Sequence, residues 1–326
     1  MRRVLGVIGC LAVAGCSTGP APGPKQAPVA TATSAPASAA PSVTLQEAAS
    51  VLEDYVKRNN AANKAKSAKL LAEYEGGSSF AIDKAGYASS GKGDEYLPFS
   101  YTKPAYTVPA AKEGRWFLIT AKGKIGSHVA MVPTYLLFAH NGMSWRQLYA
   151  PNVFNDQPAD ELPELAASGP AAAVAQSDAT GLLMSPTAFA KSYAAHLAGK
   201  GTGSRFAPDG LTATARSNRI KMKQWAKLTE TVRPATTYPS YALRTADGGA
   251  LAFTTVERNR RYDVHQGPEH NYVFQEHGPL KGRKFSTFMK STELIQVVAH
   301  IPPKTDDPGR VKVIGSHSGV ISGSGR

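Results

Sequence analysis

Cysteine placement is the strongest constraint on what this chain can fold into. Two cysteines occur, Cys10 and Cys16, and none follows them. Everything beyond residue 16 therefore folds without disulfides, thiolate zinc sites, iron–sulfur clusters or a cysteine nucleophile, and has to rest on a hydrophobic core. The length permits one: about 280 residues lie beyond a Pro/Ala/Ser-rich stretch ending at residue 42, enough for one large or two ordinary domains.

The N-terminus has the parts of an export signal. Arg2 and Arg3 form a basic start, and Val4 to Val13 an apolar segment too short to span a bilayer. Val13-Ala14-Gly15-Cys16 closes it. This small-small-Cys ending resembles the bacterial lipoprotein signal, in which the cysteine thiol receives diacylglycerol before the peptide is cut. The resemblance implies a signal over residues 1–16, an acylated Cys16, and a protein lipid-anchored on the extracytoplasmic face of the cell membrane. Membrane lipid is then its first partner, and several acyl chains on one residue suffice for stable anchoring where one is marginal. Cys10, after Val7-Ile8-Gly9, repeats the pattern weakly, and cleavage there leaves almost no apolar segment. An ordinary secretory signal with an incidental cysteine is the alternative. Residues 17–42 are dominated by Ala, Pro, Ser, Thr and Gly, with Lys25 the single charge. Such a stretch buries too little apolar area to offset chain entropy and reads as a disordered tether. Lipid, tether and folded cargo together resemble the actinobacterial type of lipoprotein.

The formal net charge is +13, of which the signal carries only Arg2 and Arg3. A basic exported protein is drawn to anionic lipid heads, teichoic-type polymers or other acidic glycans. Nucleic acid is not expected as a partner of an exported lipoprotein. The densest basic stretch holds Arg216, Arg219, Lys221, Lys223 and Lys227 around Trp225, with no acid between. It reads either as a solvated helix or strand face or as a strip that binds an anionic polymer or a protein.

Past the tether two sections of the chain echo each other. Pro104-Ala-Tyr106-Thr-Val108 aligns without a gap on Pro239-Ser-Tyr241-Ala-Leu243, and Trp116–Thr120 then coincides with Leu251–Thr255. Upstream, Phe80-Ala81 matches Phe206-Ala207. Each section opens with a helix signal. Thr44-Leu45-Gln46-Glu47 has capping-box spacing, and Ser185-Pro186 sets a cap before a proline at the first helical position. Each then reads as a small-residue connector and several strands, with Asn141-Gly142 as a hairpin turn. The expected class is α+β, with domains at 43–154 and 181–301, a linker at 155–180, and a Gly/Ser-rich tail at 302–326 that is mobile apart from one strand at Val311–Ile314. Helix first, then a curved meander, resembles the cystatin-like or nuclear-transport-factor-like cone, which implies a space between helix and sheet in each domain that is enzymatic, ligand-binding or simply filled. One α+β domain with accidental echoes remains the other reading.

Catalytic motifs are mostly missing. Gly315-Ser316-His317-Ser318-Gly319 has histidine where a nucleophile-elbow serine belongs, and Ser100-Tyr-Thr-Lys103 lacks the partners of penicillin-recognising enzymes. Phosphate-loop and dinucleotide fingerprints are absent. The best chemical cluster is Asp263-Val-His265-Gln-Gly-Pro-Glu269-His270, followed by Glu276-His277. Its imidazoles and carboxylates suit a divalent metal, with His265, Glu269, His270 and His277 as ligands; equally, they suit a solvent-exposed polar hairpin. The expectation is a non-enzymatic binding or interaction module that needs no cofactor. A hydrolase or metal-dependent enzyme built around His265 and His270 is the rival.

Overall fold

The computed structural model describes residues 40–89, 96–165, 171–201, 203–266, 272–274, 278–305 and 309–326. The signal, Cys16 and the tether up to residue 39 lie outside them. Helix α1 (Leu45–Ala65) begins where the cap predicts: the Thr44 hydroxyl accepts from the Glu47 amide at 3.0 Å. The reciprocal half of the capping box is missing, because the Glu47 carboxylate accepts instead from Arg115 (2.6 Å) and the Trp145 indole (3.2 Å). Ala48, Leu52, Tyr55 and Ala62 line its buried face, while Leu45 is exposed. A short α2 (Ala68–Leu71) follows, and then α3 (Gly77–Ser89), a helix where a small-residue connector was expected. In the second half, Ser185 caps α4 (Pro186–Leu197) by accepting from the Ala188 amide at 3.2 Å, and Gly199, at φ +72°, ends it. Helix α5 (Gly210–Met222) then begins at Asp209.

The strands of the first half are β1 (Phe99–Thr107), β2 (Trp116–Ile125), β3 (His128–Val129), β4 (Thr134–His140), β5 (Trp145–Tyr149) and β6 (Asn152–Val153). Those of the second are β7 (Ala226–Pro234), β8 (Tyr241–Arg244), β9 (Ala250–Val264), β10 (Val273–Phe274), β11 (Lys284–Phe285), β12 (Phe288–Ile301) and β13 (Lys312–Gly325). The fold is α+β with antiparallel pairing in every named strand ladder. The two meanders are not separate sheets. They form one sheet in the order β1-β2-β4-β6-β13-β12-β9-β7, joined where Val153 and Asn152 of β6 pair with Gly315 and Ser316 of β13. Residues Ser38–Arg326 accordingly make up one compact unit. The segment expected as a linker runs along this unit, bridging Leu165 to Thr245, Ala171 to Pro109 and Ala173 to Leu243.

Strand alternation divides the core into layers. Phe117, Ile119, Leu136 and Phe138 face α1, and Ile295, Val297 and Ala299 face α4 with Phe189 and Tyr193. The opposite faces of the same strands meet each other: Trp116, Leu118, Tyr135 and Leu137 pack with Leu243, Leu251, Phe253 and Val298. Trp116 lies 5.0 Å from Tyr241 and Tyr135 lies 5.9 Å from Phe253, ring centre to ring centre. Large side chains, several fully buried, therefore pack between helix and sheet, the filled one of the alternatives that the cone resemblance leaves open. The Pro104/Pro239 match falls on β1–β2 and β8–β9, both antiparallel but one residue apart in aligned register, for Tyr106 opposes Ile119 and Tyr241 opposes Phe253. The Phe80/Phe206 match falls on unlike elements, a helix and an extended bridge to Val311.

The Gly/Ser-rich end is the largest departure from expectation, for β13 is a 14-residue strand inside the sheet and not a mobile tail. Its glycines mark close approaches. A Cβ at Gly315 would overlap the Asn152 carbonyl; at Gly319 it would stand 2.8 Å from Ile82 of α3, and at Gly323 2.5 Å from Leu280. Small residues there let α3 cross β13 at contact distance. The buried Gln296 amide fastens the same seam: its nitrogen lies 2.9 Å from the Ser78 hydroxyl, the Ser79 hydroxyl and the Leu148 carbonyl, three acceptors that share its two N–H groups, while its oxygen accepts from the Ala150 amide at 2.8 Å.

Candidate functional site

The basic stretch forms most of α5 and the turn after it. Asp209 starts the helix: its carboxylate accepts from the Thr212 amide (2.9 Å) and hydroxyl (2.9 Å), and from the Tyr193 hydroxyl of α4 (3.1 Å). Burial and that carboxylate push the Tyr193 phenol well above its ordinary range, so it stays a donor. Arg219 and Lys221 sit in the last turn, where cations complement the helix dipole. Between α4, α5 and the intervening loop runs a groove of about 750 Å³, lined among others by His196, Phe206, Asp209, Arg216, Lys223 and Arg310. A second hollow of about 530 Å³ shares Arg219 and Lys223 and adds Lys227, Glu230 and His265.

The cations are not equivalent. Arg219 is committed to structure: it donates to Glu230 at 2.5 and 3.0 Å and to the Leu197 carbonyl at the end of α4. Arg216, Lys223 and Arg310 take part in no ion pair among the described residues, and all three border the first groove. Lys221 is exposed and borders neither hollow; Trp225 is 43% exposed beside the turn into β7. Of the five basic residues and Trp225 expected from sequence, the fold brings Arg216, Arg219 and Lys223 together, sets Lys227 at the second hollow and leaves Lys221 and Trp225 at the side.

Arg310 escaped sequence reasoning because it lies in the segment expected to be a mobile tail. The chain returns it by pairing: Val311 donates to the Arg205 carbonyl, and Ala207 donates to the Val311 carbonyl, each at 2.9 Å. His196 was missed as well, being one more residue on an apolar helix face. It stacks on Phe206 at 4.8 Å between ring centres.

The expected metal cluster is only partly described. His265 follows β9, with its Nε2 3.1 Å from the Lys223 carbonyl. Asp263 is paired with Arg261, whose hydrogen bond holds the carboxyl below its ordinary range. Glu269, His270 and His277 lie outside the described residues. Among the described residues no three His, Cys, Asp or Glu side chains are grouped to hold a metal ion. The Gly315–Gly319 run is part of β13, with His317 3.2 Å from Asp83 of α3.

Residues 39–325 match a family described as a domain of unknown function, DUF8094. The chain belongs to this family. Its family domain thus coincides with the single compact unit, β13 included. An uncharacterized lipoprotein of Streptomyces coelicolor is 30% identical over 309 residues, covering 87% of each chain. No solved structure matches. No described helix is long and apolar enough to cross a membrane. The N-terminal pattern of this DUF8094 protein and its relative agree on one class, a bacterial lipoprotein.

Proposed function

We propose that the protein is held on the extracytoplasmic face of the cell membrane by an acylated Cys16 and serves there as a non-enzymatic binding module, with its own core in place of any cofactor. Its ligand on this reading is an anionic envelope polymer, a phosphate- or carboxylate-bearing chain of the teichoic or acidic-glycan kind, seated in the α4–α5 groove. The observation that carries the reading is the convergence of Arg216, Lys223 and Arg310 on one groove with no carboxylate paired to any of them among the described residues. Guanidinium and ammonium groups without a carboxylate partner among the described residues are the donors that an anion needs, and Arg offers a planar fork to it.

The purified protein should retain a teichoic-type polymer at low salt and release it at high salt, and should ignore a neutral glycan. Replacing Arg216, Lys223 or Arg310 with Ala should weaken retention about tenfold each, on the scale of a charge-assisted hydrogen bond. Arg219→Ala should instead lower stability. Equal retention of anionic and neutral polymer, or full retention by the triple variant, defeats the assignment.

A further inference from the structure

The first half carries a feature that the groove leaves unused. At the β1 edge of the sheet, β2 and β3 form a hairpin turned at Gly126, whose φ of +58° suits the tight reversal, and β1 flanks it by pairing Phe99 with Ile125 and Ser100 with Lys124. Four apolar side chains near its end face solvent: Leu97 is 56% exposed, Ile125 48%, Val129 40% and Met131 76%. Ile125 pairs with His128, and Val129 with Lys124, so the two apolar residues stand on opposite faces of the ribbon. The tip is therefore apolar on both sides, which no docking against one flat protein face requires. Other exposed apolar side chains stand singly, as Leu45 and Met143 do, or border the groove, as Ile220 does.

Lysines follow directly behind this tip. Lys124 and Lys122 lie one and three residues back from Ile125 along β2, about 3 and 10 Å by the rise of an extended strand. Lys103 adds a third cation on the neighbouring β1. No acidic residue occurs in residues 96–112 or 114–155; Asp94 and Glu95 lie outside the described residues. An apolar end with cations set back by those distances fits a bilayer interface, where apolar groups enter roughly 5–10 Å and ammonium groups stay among anionic headgroups.

We infer that the β2–β3 hairpin is a wedge that inserts edge-on into the headgroup region of an anionic lipid bilayer, with Ile125, Val129, Met131 and Leu97 entering and Lys122 and Lys124 at the phosphate level. The inference rests on the membrane anchoring proposed above. The wedge adds a second, non-covalent contact that orients the folded unit at the surface that Cys16 tethers it to.

The test uses the acylated protein in phosphatidylglycerol-containing vesicles, with an environment-sensitive fluorophore on Ser127→Cys and, as control, on Ala246→Cys in the turn after β8. The Ser127 label should shift to the blue and be quenched by brominated lipid, and the Ala246 label should do neither. Lys122→Glu with Lys124→Glu, or Ile125→Ser with Val129→Ser, should reduce quenching several-fold without moving the urea midpoint, and neutral vesicles should give a weaker signal. Protein that floats with vesicles while its Ser127 label stays aqueous overturns the wedge and leaves the anchor standing. Protein that does not float overturns both. A blue shift that tracks protein concentration without lipid indicates a second copy and also overturns the wedge.

Discussion

The two halves answer the same problem, a carboxyl group taken out of water, in opposite ways. Both set helices ahead of an antiparallel meander, and their strands run inward from the two edges of one sheet, β1-β2-β4 from one side and β7-β9-β12 from the other. In the second half the buried Glu293 accepts from Arg258 at 2.6 and 3.0 Å and from Arg260 at 2.7 Å, so its charge is matched twice. In the first, Glu75 is 2% exposed and takes part in no ion pair among the described residues. Its surroundings are phenols, Tyr55, Tyr74, Tyr87 and Tyr101, and the carboxyl of Asp83. Burial first, and the Asp83 charge second, hold the Glu75 carboxyl well above the ordinary range, so it holds its proton to a higher pH than an exposed carboxyl does. A buried acid needs either a cation or a proton. One half supplies each, although both share a sheet.

Breaking the matched pair should have the largest effect. Glu293→Ala leaves two guanidinium groups, 13% and 15% exposed, without their carboxylate, and should cost about 3–5 kcal/mol in urea unfolding. A loss below about 1 kcal/mol shows that water reaches these arginines and removes the contrast between the halves.

Glu75→Gln should act in the other direction. A raised native pKa means that the folded chain keeps a proton the unfolded chain releases as pH rises past the ordinary carboxyl value of 4.5. That stabilisation is complete in acid and lost on the way up to the native pKa. The variant has no proton to lose, so it should be the more stable form at pH 7, with the gap closing toward pH 4. Unfolding midpoints across that range decide it, and identical slopes refute a protonated Glu75.

The smallest effect should be the same in both halves. Thr44→Ala and Ser185→Ala each remove one hydroxyl from a free helix amide, at about 1 kcal/mol apiece in thermal or urea unfolding. Markedly unequal losses mean that one helix start is held by tertiary contacts rather than by its cap.

Those caps belong to what the sequence by itself determined. Thr44, Ser185-Pro186 and Asn141-Gly142 act within four residues, and the cysteine placement alone required a disulfide-free core. The Asn141 side chain accepts from the Met143 and Ser144 amides at 3.1 and 3.0 Å, so that turn is closed locally as well. Of the candidate groove, Arg216, Arg219 and Lys223 were legible because they lie on one helix and its C-cap. Arg310 was not, since its position depends on pairing with Arg205 and Ala207 some hundred residues away. Tertiary structure also decided that two meanders make one sheet and that β13, rich in Gly and Ser, lies within it. The physical reason is shared. A glycine carries no local instruction between tail and strand, and only the approach of Asn152, Ile82 and Leu280 against Gly315, Gly319 and Gly323 makes the missing side chain a requirement.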